Sequence, residues 1–279
     1  MSLIPWTEHL PIPLVHRIVD ARLRDPERIA GAAKARKRRP PVMGDNRICL
    51  LSIERPFRPD RVSLLNRAIR ALSNDWIDGL LGPVDLIEDL FLLNDFLRED
   101  GAGGCVDHKV LIVSFPHPHL PEVLRDYRVD GIALDARPAS LEAAAAFHDI
   151  GLPIIVSLSN TPPEAELDRL LSSLPSTRNL WISTPHQESL SQFVCSTLCP
   201  LLIDGARGQD SSSFLRGLQA SLPIGHQVRG ALIPSSVWAG ENIDPSVMAG
   251  VAGRMVHEGI AVKQALEGAA RDREAPVAV

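Results

Sequence analysis

Apolar residues along the chain gather into eight short runs at roughly even spacing, and most of the runs stop at a polar cluster. The runs are Ile48–Ile53, Gly79–Gly82, Val110–Phe115, Gly131–Asp135, Ile154–Leu158, Leu180–Ser183, Leu201–Asp204 and Gly230–Pro234. Runs this short, bounded by polar or turn residues, read as strands. Between them lie stretches of helical period. Residues 61–72 place Leu64, Leu65, Ala68, Ile69 and Leu72 on one face. Asp85 reads as the N-cap of a further helix; others are expected over Pro121–Tyr127, Leu141–His148, Pro163–Leu174 and residues 245–268. Eight strands alternating with helices in 279 residues predict a single (β/α)8 TIM barrel.

Two helices are predicted ahead of the first strand. Pro13–Arg24 turns Leu14, Ile18, Val19 and Leu23 to one side. A second helix opens at Asp25 as N-cap with Pro26 in its first turn, runs to about Arg39 and stops at Pro40-Pro41. This pair is expected to close the bottom of the barrel or to build an oligomer contact. The expected division is a helical extension over 1–45, the barrel over 46–270 and a frayed tail over 271–279.

Composition narrows the function classes. A hydrophobic fraction of 45% supports one large core, and a net charge of −5 does not invite nucleic acid. The basic run Lys34–Arg39 is local, and reads as a solvated helix end or as an anion or RNA patch. No apolar stretch approaches the roughly 20 residues that cross a bilayer. The first residues lack the pattern of a secretion signal, so a cytoplasmic protein is expected. Cys195 and Cys199 are four apart, but no second Cys/His pair with ligand spacing accompanies them, so no metal site and no cofactor are expected. The expected partner is a small-molecule substrate; a membrane is not expected, and a homo-oligomer is an option.

Barrels of this class do chemistry at the carboxyl ends of their strands, so the residues that follow each run are the candidates. Glu54 follows the first strand and reads as a general acid or base, or as half of a salt bridge. His117 and His119 lie in a Pro-His-Pro-His loop after the third strand, as proton shuttles or simply exposed. Asp135 ends the fourth strand with Arg137 two residues on, as a catalytic carboxylate beside an anion clamp or as a helix cap. His186 follows the sixth strand. Asp204 opens an Asp-Gly-Ala-Arg-Gly run that includes Arg207, and Ser235 and Ser236 stand at the matching place after the eighth strand. Barrels often hold phosphate between those last two loops. A metal held by His117, His119 and Asp135 or His186 is a weaker alternative.

Four stretches carry a resemblance. They are Ile18–Ala30 with the basic helix end, Arg55-Pro56, Asp78–Gly82 with Asp85–Leu90, and Gly151–Ile154. Together they make the chain similar to the class I aldolase superfamily of deoxyribose-phosphate and tagatose-bisphosphate aldolases, and more narrowly to an actinobacterial branch of aldolase-like proteins. The resemblance implies a barrel that forms a Schiff base through a lysine at the end of strand six. In this sequence Ser183 occupies that place. Glu54-Arg55 stands where that branch has Asp-His, and Pro234-Ser235 stands where a phosphate-binding Gly-Arg pair is expected. The chain has four lysines, Lys34, Lys37, Lys109 and Lys263, and none is placed at the barrel mouth by the predicted topology. The expected function is therefore an aldolase-like lyase or isomerase, of the kind found in secondary metabolism, that works by proton transfer next to a carbonyl of a sugar-like compound, phosphorylated or not. Glu54 and Asp135 would share acid and base roles. Arg55, Arg137 and Arg207 would hold anionic groups, and Ser183 would hydrogen-bond the carbonyl. The alternatives are a metal-dependent aldolase and a non-catalytic barrel that binds a metabolite or a partner protein.

Overall fold

In a computed structural model, the described residues are 10–39, 47–53, 60–114, 121–135, 147, 151–158, 180–185, 199–205, 209–222, 228–240 and 242–274. All eight predicted strands form: β1 Ile48–Ser52, β2 Gly79–Gly82, β3 Val110–Ser114, β4 Gly131–Asp135, β5 Ile154–Ser157, β6 Leu180–Pro185, β7 Leu201–Asp204 and β8 Val228–Pro234. Each pairs in parallel with its neighbour, and β8 closes on β1, which makes a TIM barrel. The described helices are α1 Ile12–Arg24, α2 Glu27–Ala35, α3 Arg61–Leu72, α4 Val84–Glu99, α5 Pro121–Asp126, α6 Ser211–Ser221, α7 Ser235–Trp238 and α8 Pro245–Glu274. The predicted helices over 141–148 and 163–174 fall outside the described residues.

Helix starts follow local chemistry. Asp60 caps α3 by accepting from Ser63 N–H at 2.9 Å, and Asp210 caps α6 by accepting from Ser213 N–H at 2.9 Å. Two starts differ from expectation. Pro26, already in helical conformation, takes the capping place of α2, and Pro83 takes that of α4, so Asp85 lies inside the first turn. The tail expected to fray from Arg271 is helical to Glu274.

The N-terminal helices do not close the barrel. They pack on its flank against α4, where Arg22 and Arg61 converge on the buried Asp89 at 2.5 and 2.6 Å. Leu14 and Ile18 are buried there, but Val19 and Leu23, expected on the same side, are exposed along with Ile12. In the basic run that follows, Lys34 and Lys37 are exposed, as a solvated helix end would be, but the arginines are engaged. It runs as a strap along the amino-terminal rim of β2, β3 and β4. Arg36 is buried and donates to Asp130 at 2.8 Å and to the Lys109 carbonyl at 2.6 Å. Arg38 donates to Asp130 at 3.0 Å, and Arg39 bonds Asp78.

The pairing register sorts the barrel interior into layers. A shear of about eight lowers each strand by roughly one residue relative to the last, so one height is filled from alternate strands. The middle layer is Leu50, Ile112, Ile155 and Leu202. Below it come Gly79, Gly131, Trp181 and Gly230. Three positions without side chains leave room for one indole, and Trp181 is buried in that space. A small apolar cavity of about 30 Å³ remains beside it, between Ile48, Val110, Pro153 and Leu202.

Candidate functional site

Above the middle layer the interior turns polar. The next layer is Leu81, Ala133, Ser183 and Leu232, and the layer over it is Ser52, Ser114, Ser157 and Asp204. Asp135 points inward one step higher, at the end of β4. Strand alternation causes this. Each of these residues lies two positions on from an apolar inward residue of its own strand, so its side chain returns to the same face. Ser157 Oγ donates to Asp204 Oδ2 across the interior at 3.4 Å. Ser114, Asp135, Ser157 and Asp204 are half-buried, while Ser52 and Ser183 are buried.

Ser183 is the deepest of these groups. It is 0% exposed, and its hydroxyl has no hydrogen-bond partner. A buried hydroxyl without a partner costs about 1–3 kcal/mol, and most buried polar groups avoid this. The contrast with Trp238 is instructive: that indole is equally buried, but its Nε1–H donates to the Ile233 carbonyl at 3.2 Å.

The described strand ends carry two carboxylates and four hydroxyls, and no lysine or arginine among them. Every lysine is accounted for by position. Lys34 and Lys37 are exposed at and after the end of α2, on the flank and bottom of the barrel. Lys109 precedes β3 and donates from Nζ to the Ile77 and Asn74 carbonyls at 2.6 and 3.2 Å, at the amino-terminal end, where burial lowers its pKa. Lys263 lies on α8 four residues beyond Gly259, which packs against Leu222 after the end of α6, again at the amino-terminal end. The segments outside the described residues contain no lysine.

Of the residues singled out in the sequence, the structure brings Asp135, Ser183 and Asp204 together at the barrel mouth. Glu54, Arg55, His117, His119, Arg137, His186 and Arg207 lie outside the described residues. Ser235 and Ser236 open the single-turn helix α7. Ser236 Oγ donates to the Gln209 carbonyl at 2.9 Å, and Ser211 Oγ donates to the Val237 carbonyl at 3.2 Å. These bonds stitch α6 to α7. Ser52, Ser114 and Ser157 were missed. They lie at or inside the ends of the apolar runs and not after them; counting inward positions by twos from each core residue finds all three.

Among the described residues, no three His, Cys, Asp or Glu side chains stand close enough to hold a metal ion. Nor is any described helix long and apolar enough to cross a membrane.

Comparison with known proteins ends on the fold. No protein-family model matches the chain, and no curated protein sequence does. Among solved structures, it is similar to Cgl0159 from Corynebacterium glutamicum, with 19% identity and a TM-score of 0.71 over 89% of this chain and 98% of that one. It is also similar to a truncated 3-deoxy-D-arabino-heptulosonate 7-phosphate synthase from Thermotoga maritima, with 13% identity and a TM-score of 0.53 over 80% of this chain and 89% of that one. A third likeness is to N-acetylneuraminic acid synthetase from Leptospira borgpetersenii, with 15% identity and a TM-score of 0.52 over 80% of this chain and 86% of that one. What the chain shares with these three is the closed eight-stranded barrel.

Proposed function

We propose that the protein is an aldolase-like enzyme that moves protons next to a carbonyl without forming a Schiff base, acting on a small, oxygenated, sugar-like substrate. The observation that carries this reading is the polar ring itself. Two carboxylates and four hydroxyls point into the barrel at its carboxyl-terminal end, and no lysine belongs to a described strand end. A serine cannot make an iminium, so the barrel has to stabilise an enolate by other means.

In this reading Asp135 takes the proton from the carbon beside the substrate carbonyl, and Glu54 returns a proton on the other side of the cycle. Ser183 donates to the carbonyl oxygen, whose negative charge grows as the enolate forms. Arg55, Arg137 and Arg207 follow the strand ends in sequence and neutralise that charge or a carboxylate of the substrate. Carbon–carbon cleavage, elimination and isomerisation all pass through such an enolate. His117, His119 and His186 are the further proton carriers of this proposal.

The test is hydrogen exchange. Dihydroxyacetone and D-erythrulose are incubated with the protein in deuterated water, and loss of the α-proton signals is followed by NMR. The expected result is protein-dependent exchange that survives prior treatment of the protein with ketose and borohydride, both then removed, and that falls about a hundredfold or more in Asp135→Asn. A borohydride-trapped adduct, or undiminished exchange in the variant, would overturn the mechanism.

A further inference from the structure

We infer that the outer face of α1 is a contact between two copies of this chain, paired antiparallel about a two-fold axis.

α1 carries two apolar stripes. Leu14, Ile18 and Ala21 are buried against the body of the protein. Ile12, Val19 and Leu23 are 69%, 49% and 76% exposed, and His16 is exposed between them. At about 100° per residue the second stripe lies directly opposite the first. The fold does not use it. The inner stripe fixes α1, together with Arg17 and Arg22, which pair with Glu99, Asp100, Glu88 and Asp89 on and just after α4.

Spacing points to the occupant. Ile12, His16, Val19 and Leu23 are separated by four, three and four positions, which is the narrow seam of a helix that pairs with another helix. A membrane surface calls for a broad apolar face flanked by cations. Beside this seam the exposed Asp20, Asp25 and Glu27 outnumber Arg24.

The same spacing reads identically from either end. Turned end for end, a second α1 sets Leu23 on Ile12 and Val19 on His16, twice over, as an isologous contact requires. Charge selects this direction. Antiparallel pairing lays Asp20 beside Val15 and Arg24 beside Pro11 of the other copy, whereas parallel pairing would set Asp20 on Asp20 and Arg24 on Arg24. α1 packs chiefly on α4 and α2, so it forms a layer outside the barrel helices, where a second copy can approach. Its three exposed apolar side chains offer on the order of 350 Å² per chain, the size of the largest apolar patch on an ordinary monomer, which is often functional. That is below the ~800 Å² per partner of a standard interface. The dimer is therefore reversible, with a Kd of about 1–100 μM.

Sedimentation equilibrium of the full-length protein across the micromolar range tests this, and a monomer–dimer equilibrium is expected. Leu23→Glu is expected to weaken association about tenfold or more with an unchanged circular dichroism spectrum. His16→Leu, which makes the seam wholly apolar, is expected to tighten it about tenfold. Chains carrying Ile12→Cys are mixed with chains carrying Leu23→Cys and oxidised with copper phenanthroline, two thiols giving one disulfide. Peptide mapping is expected to join position 12 of one chain to position 23 of the other. A monomer at every concentration, a dimer that Leu23→Glu leaves intact, or disulfides chiefly of 12 with 12 and 23 with 23, overturns the inference.

Discussion

Ser183 is costly for folding, and the proposed reaction gives that cost a use. Its hydroxyl is sealed from water and bonded to nothing. Removing it deletes a desolvated polar atom and keeps the packing of the strand. Ser183→Ala is therefore expected to raise stability by about 1 kcal/mol, read as a melting point higher by roughly 2–4 °C, while exchange activity falls. A variant less stable than the parent would mean that the hydroxyl is bonded after all. The sequence pointed to Ser183 because a reactive lysine was expected there, and to Asp135 and Asp204 because they end apolar runs. It hid Ser52, Ser114 and Ser157, since a serine at the edge of an apolar run looks like its end. Only the two-residue alternation along a strand tells that it faces inward.

Elements meet at the amino-terminal end through Asp78. This buried carboxylate precedes β2 and accepts from Cys49 N–H of β1 at 2.7 Å, from Arg39 of the strap and from His257 Nε2 of α8 at 3.0 Å. Burial pushes its pKa up, but the hydrogen bonds from His257, Arg39 and Cys49 outweigh that and hold it below the ordinary carboxylate value. The unfolded chain then binds the proton more readily. The stabilisation is complete above the unfolded value of about 3.9 and fades as pH falls through the lower folded value. Asp78→Asn is expected to cost about 2 kcal/mol in urea unfolding at neutral pH, since it replaces a buried, charged acceptor of three hydrogen bonds with a neutral one. The variant should also show a shallower loss of stability below about pH 4. Equal acid sensitivity in the two proteins would remove Asp78 from this role. The strap was not legible in the sequence. A run of basic residues looks the same whether it is solvated or pinned, and its partners Asp78, Asp107 and Asp130 are 39 to 94 positions away.

For the molecule as a whole, barrel closure was legible and its interior was not. Eight runs with helical stretches between them have few other ways to bury their surfaces. The exchange of three side chains for one indole, however, depends on register, which brings Gly79, Gly131, Gly230 and Trp181 to one height. No local window of sequence contains all four. Trp181→Ala leaves a void that three glycines cannot fill, so a loss of about 3–5 kcal/mol is expected, or roughly 10 °C in melting temperature for a chain of this size. A change within about 2 °C would show that the indole is not the centre of the packing.

The same indole has a consequence for traffic. Trp181 and the leucine and isoleucine layer above it stop up the tube from within, and the arginine strap is fastened along the rim of the far end. The chamber is a blind alley. In the reaction proposed above, substrate and product would share the carboxyl-terminal doorway, so the vestibule would have to empty before it could fill again.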